Sequence, residues 1–113
     1  MYNINIVSEG KICDILATLR TGLANLLGDQ LEAVYLYGSH ARGEATSDSD
    51  IDVLIVILDD FDYGEILDQN LNFVAYLSLE HDVVISRAIT SKDRFKHEMS
   101  PFLMNVRREA VLA

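Results

Sequence analysis

Val53-Leu54-Ile55-Val56-Ile57-Leu58 is a run of aliphatic side chains with no polar alternation. Successive side chains of a strand point to opposite sides of its sheet, so a strand spanning Ile51 to Leu58 has to be covered by protein on both faces. The rest of the chain supplies the cover. From about Ser8 to Leu27 the apolar residues Ile12, Ile15, Leu16, Leu19, Leu23, Leu26 and Leu27 follow helical spacing, and Gly28 is a good stop. Leu31 to Tyr37 reads as another central strand, and Tyr63 to Leu79 as a helix with Leu67, Leu71, Val74 and Leu77 on one side. The β-branched stretch His81 to Ser86 predicts a third strand, with Asp82 at its start. From about Lys92, Phe95, Met99, Phe102, Leu103, Val106 and Ala110 recur at helical intervals, and Ser100-Pro101 either restarts or kinks that helix. Met1 to Val7 is either a short strand or the lead-in to the first helix. The order predicts an α/β (α+β) fold, a small mixed sheet packed with helices, in one domain covering residues 1–113.

The two central strands flank the segment richest in chemistry. The first ends at Gly38-Ser39, where a residue without Cβ lets the backbone turn sharply and approach a phosphate, and a hydroxyl stands at what reads as a helix N-terminus. The second is entered through Asp50 and Asp52, spaced i, i+2, so that both carboxylates face one side and can share a hard divalent cation. Two like charges at a strand entrance repel each other and cost β-propensity, an arrangement a cation relieves. Phosphate and Mg²⁺ sites within one strand-turn-strand unit point to nucleotide chemistry.

Gly38-Ser39, ten intervening residues and then Asp50-Ile51-Asp52 resembles the signature of the DNA polymerase beta-type nucleotidyltransferase superfamily. Gly-Ser-x-Ala-Arg-Gly before Ser-Asp-x-Asp is most similar to its minimal single-domain members, many of which are antitoxin partners of HEPN-domain toxins. The resemblance implies the polymerase beta-type nucleotidyltransferase core and transfer of AMP from ATP to an acceptor hydroxyl. Gly38 and Ser39 would hold the β- and γ-phosphates, and Asp50 and Asp52 would bind two Mg²⁺. Asp82 would complete the family's carboxylate triad, helping the second metal and taking the proton of the attacking hydroxyl. Arg42 either touches a phosphate or offsets the acids around it. The implied acceptor is a tyrosine of a cognate HEPN RNase toxin, in a hetero-oligomer with this chain acting as antitoxin. Two alternatives stay open: nucleotidyl transfer to a small molecule, and a non-catalytic antitoxin that neutralises its partner by binding.

Charge narrows the partners. The chain carries 18 acidic and 9 basic residues, a formal net charge of -9, and no Lys/Arg cluster. Binding of a long polyanion needs a basic patch, so no direct DNA or RNA template is expected. A metal-neutralised nucleotide or a basic protein partner remains compatible. Cys13 is the only cysteine and is expected to pack in the core. No apolar stretch reaches the length of a membrane span and no leader pattern opens the chain, so no membrane is expected and a cytoplasmic location is. Asp59, Asp60 and Asp62 read as helix capping, Asp48 as solvated, Gly43 as a turn residue, and His40 and His81 as structural or exposed. Of Tyr35 and Tyr37, one is expected to pack inward and the other to border the nucleotide.

Overall fold

The computed structural model of the chain describes residues 3–46 and 48–113, with side chains from residue 10 onward. Helix α1 (Asn3–Leu27) is followed by a 3-10 turn (Gly28–Gln30), strand β1 (Leu31–Tyr37) and a single helical turn, α2 (Ser39–Arg42). Strand β2 (Ile51–Ile57), helix α3 (Tyr63–His81) and strand β3 (Ile85–Ser91) come next. Helices α4 (Lys92–His97) and α5 (Pro101–Glu109) and a two-residue strand, β4 (Val111–Leu112), complete the order. The four strands form one mixed sheet in the order β3-β2-β1-β4: β1 lies antiparallel to β2 and β4, and β3 runs parallel to β2.

The unbroken apolar run does place β2 between two layers. Ile51, Val53, Ile55 and Ile57 face the core formed with Ile15, Leu19 and Leu23 of α1 and Ile66, Val74 and Leu77 of α3. Leu54 and Val56 face the other way, onto Leu103 and Val106 of α5. Residues 53–57 are each no more than 1% exposed, whereas Leu58 lies beyond the strand at 41%.

Several elements depart from the sequence expectation. Helix α1 extends back to Asn3, so the helical lead-in is the alternative realised; Met1 and Tyr2 lie outside the described residues. Leu26 and Cys13 are exposed rather than buried. The buried stripe of α1 runs through Ile12, Ile15, Leu16, Leu19, Leu23 and Leu27, and Cys13 is one position past it. On α3 the inward positions are Ile66, Asn70, Val74 and Leu77, with Leu71 half exposed. Asn70 is tolerated there because its amide donates to the Ile66 carbonyl (2.5 Å) and accepts from the Arg87 guanidinium. Asp62 caps α3, its carboxylate accepting from the Glu65 amide at 2.9 Å, as the acidic turn suggested. Ser100-Pro101 restarts the helix: Ser100 accepts from the Leu103 amide and Pro101 sits in the first turn.

The largest departure concerns Asp82. Of the predicted strand over His81 to Ser86, only Ile85 and Ser86 are in β3: His81 ends α3, Asp82 caps it, and residues 83–84 connect the two. Asp82 closes the helix in a left-handed conformation (φ 53°), with its amide bonded to the Leu79 and Ser78 carbonyls. The β-branched pattern was genuine, but the helix runs two residues further than its apolar spacing indicated.

The register of α3 gives a direct test. Leu77→Ala, at a site 1% exposed, is expected to lower the unfolding free energy by about 2–5 kcal/mol in urea titrations. Leu71→Ala, at half exposure, is expected to change it by no more than about 0.5 kcal/mol.

Candidate active site

The two ends of α2 are dictated by glycines. Gly38 has φ 77° and ψ -157°, a conformation open essentially to glycine alone, and an added Cβ would run into the Asp52 carboxylate. Gly43 closes α2 in the left-handed region (φ 74°), its amide reaching the His40 and Ser39 carbonyls, the turn role expected of it. Between them Ser39 opens the helical turn, and the Arg42 amide bonds to the Gly38 carbonyl at 3.1 Å. The missing Cβ therefore brings the Gly38 backbone directly against Asp52.

Asp52 is the second residue of β2, opposite Tyr37 on β1 and beside Ser86 on β3. Along β2 it shares the face of Leu54 and Val56, the side covered by α5. Burial, then the neighbouring Asp50 carboxylate, raise the Asp52 carboxyl above its ordinary value; His40 and Arg42 pull it down and Glu109 pushes it up again. Asp50 itself is exposed at the strand entrance. Tyr37 meets Phe102 edge to face, with centroids 5.5 Å apart, and burial followed by the Asp52 charge raises its phenol above the usual value. Tyr35 stacks on Phe95 at 4.8 Å. Both tyrosines face the α4/α5 layer, because residues two apart on a strand share a side.

The loop before β2 is tied down locally. His40 Nε2 lies 3.3 Å from the Ser49 carbonyl, and the Thr46 amide donates to Ser49 Oγ at 2.9 Å. Asp48 is exposed. Arg42 is engaged with acids: Nε donates to Glu44 at 2.8 Å and Nη1 to Glu109 at 3.2 Å. Glu109, at the end of α5, also accepts from the Gly38 amide at 2.6 Å. Sequence reasoning gave no hint of this residue, because it enters the site across 71 positions of chain at the end of an otherwise ordinary amphipathic helix.

Gly38, Ser39, Arg42, Asp50 and Asp52 thus lie together, and Asp82 is not among them. Its exposed side chain stands at the α3 cap, and among the described residues no three His, Cys, Asp or Glu side chains form a group able to hold a metal. The remaining pair still fits Mg²⁺. Both donors are hard oxygens, the repulsion of Asp52 by Asp50 is only partly offset by His40 and Arg42, and Mg²⁺ characteristically uses one or two carboxylates with water and phosphate oxygens filling the other positions.

The polymerase beta nucleotidyltransferase family model matches residues 23–101, which include Gly38, Ser39, Arg42, Asp50 and Asp52 but not Glu109. The chain belongs to that family. It is 32% identical over 82 residues to a candidate protein adenylyltransferase of Methanocaldococcus jannaschii, MJ0141, covering 73% of this chain and 82% of that one. A second such protein of the same organism, MJ0604, is 37% identical over 81 residues, covering 71% and 75%. Among solved structures, a candidate nucleotidyltransferase of Sulfolobus solfataricus superposes with a TM-score of 0.56 at 23% identity, over 99% of this chain and 87% of that one. A chain of a toxin-antitoxin crystallised with AMP-PNP gives 0.53 at 20% identity, over 92% and 70%. At these identities the structures show a shared nucleotidyltransferase fold. No helix among the described residues is long and apolar enough to cross a membrane.

Two consequences for this nucleotidyltransferase can be measured. Gly38→Ala is expected to cost about 1–3 kcal/mol of stability from the backbone conformation alone, and to displace Asp52 as well. For Asp52, a carboxyl whose folded value is raised, the penalty is absent below its unfolded value and fully present above its folded one. Asp52→Asn should therefore melt above the parent at pH 7 in chelator, with the difference vanishing as pH falls below the ordinary carboxylate range. Thermal melts across pH would show this.

Proposed function

We propose that this enzyme transfers AMP from ATP to a tyrosine hydroxyl of a partner HEPN-domain toxin and thereby acts as its antitoxin. The observation that carries the reading is the contact between Gly38 and Asp52: backbone suited to phosphate and carboxylates suited to Mg²⁺ meet at one point. The family match supports nucleotidyl transfer. The relatives named as candidate protein adenylyltransferases favour a protein acceptor, and the AMP-PNP bound to a toxin-antitoxin of the same fold favours ATP and a toxin partner.

In this scheme residues 1–113 act as one minimal transferase unit to which the partner presents its tyrosine. The Gly38 amide and the Ser39 hydroxyl hold the β- and γ-phosphates, and Arg42 exchanges a carboxylate partner for a phosphate oxygen. Asp50 and Asp52 would hold two Mg²⁺, which supply charge neutralisation of the triphosphate and of the departing pyrophosphate. The acceptor oxygen forms its new bond to the α-phosphorus in line with the bond to the β-bridging oxygen, which breaks, and pyrophosphate leaves with that electron pair. The tyrosine proton is lost to a base. Asp82 can serve only by reaching in from the α3 cap, so Asp82→Asn tests that role separately: a large loss of transfer assigns the base to it, and near-normal transfer removes it from the mechanism.

Intact mass of the partner after incubation with this protein, ATP and Mg²⁺ should show a gain of one or more adenylyl groups. Asp50→Asn/Asp52→Asn should reduce the rate by more than about a hundredfold. A tight complex with unchanged partner mass would instead establish neutralisation by binding alone.

A further inference from the structure

The two donors best placed for a phosphate are already bonded to an anion. Glu109 Oε2 lies 2.6 Å from the Gly38 amide nitrogen and 3.2 Å from Arg42 Nη1, and Oε1 lies 3.4 Å from the same guanidinium nitrogen. A carboxylate in this position makes the charge-assisted bonds that a phosphate oxygen would make. We propose that Glu109 is a built-in competitor for the phosphate position, which an incoming nucleoside triphosphate has to displace, so that this residue sets the enzyme's nucleotide affinity. The inference rests on the reading that the triphosphate lies at Gly38 and Ser39.

Three features hold the carboxylate where it is. Helix α5 is fixed on the sheet by Leu103 and Val106, buried against Leu54 and Val56 of β2. Arg107, two residues before Glu109, donates to the Phe95 and Glu98 carbonyls at 2.7 Å each, locking α5 to α4 and the residue after it. Immediately after Glu109 the chain turns and β4 pairs with the edge of β1, with the Ala113 amide bonded to the Val34 carbonyl at 2.9 Å. The end of α5 is thereby anchored on both sides and delivers Glu109 to the β1–α2 turn. The carboxylate is also one of four acids around this turn, with Glu44, Asp50 and Asp52, and its charge acts on Asp52. A triphosphate with Mg²⁺ satisfies the Gly38 and Arg42 donors while adding positive charge beside Asp50 and Asp52. Departure of Glu109 then removes a repulsion as well as a competitor.

A ligand whose binding-competent state is a minor fraction binds more weakly by that fraction. Titration calorimetry with MgATP on the full chain should therefore show Glu109→Gln binding about tenfold more tightly than the parent. Glu109→Asp keeps the charge but loses the reach to Gly38, and should tighten nearly as much. Asp48→Asn, which removes an exposed acid from the same loop, should change affinity by less than about twofold. Tightening by Glu109→Gln alone would reduce the effect to general charge and overturn the proposal, and so would unchanged or weaker binding by both Glu109 variants. In either case ATP still binds and the nucleotide-site reading stands. Absence of ATP binding by the parent and both variants would overturn that reading and this proposal together. On the unaltered protein, the Gly38 amide and the Glu109 side-chain carboxyl NMR signals should shift together as MgATP is added. A Glu109 signal that stays in place while Gly38 responds overturns the proposal without any substitution.

Discussion

The close approach of the Asp52 carboxylate to the backbone at Gly38 is the contact on which the site depends. It requires a residue without Cβ in a conformation that side chains exclude, and it requires β1 and β2 to be paired so that Tyr37 stands opposite Asp52. Each condition comes from a different level of the structure. The first is a single residue choice, and the second follows from a strand buried on both faces, whose register is pinned because a one-residue slip would turn Asp52 into the α1/α3 core. The double burial of β2 thus does more than stabilise the sheet. It prevents the face that carries Asp52 from sliding relative to the turn at Gly38.

That rigidity is combined with unfavourable charge. Asp52 is half-buried beside Asp50 and near Glu109, and the positive charge of Arg42 is divided between Glu44 and Glu109. Acids outnumber cations at this point, which suits a site completed by metal and nucleotide together. The overall excess of acid has the same direction, disfavouring polyanions while leaving small metal-bound nucleotides acceptable.

How much of this was legible in the sequence follows from the range of each interaction. The two central strands, both long helices and the grouping of Gly38, Ser39, Asp50 and Asp52 all arise from patterns within a few residues of each other, and the structure contains those elements. Failures occur where tertiary contacts override local pattern. Apolar spacing put Leu71 inside α3, but the Arg87 guanidinium on β3 gives a buried Asn70 its partner and turns the helix accordingly. Cys13 looked like core beside Ile12, yet it lines a cleft of about 630 Å³ next to α2 instead. Strand β4 has two residues, too few for any periodicity to show. The β-branched neighbours that follow Asp82 predict a strand there, whereas the helix consumes the chain up to that point.

The residues that stood out in the sequence did so because they conflict with their local setting. A glycine ending an apolar strand and two aspartates opening another are poor choices for a sheet, and such conflicts mark places where function outweighs propensity. Glu109 has no such conflict. An acid at the end of an exposed amphipathic helix is ordinary, and its place against Gly38 depends on α5 crossing the sheet and on β4 closing over the edge of β1. A site built from distant segments therefore shows in sequence only those members that are locally uncomfortable. Members that are comfortable where they stand, and that act by reaching across the fold, become visible only when the packing of the last two elements is known.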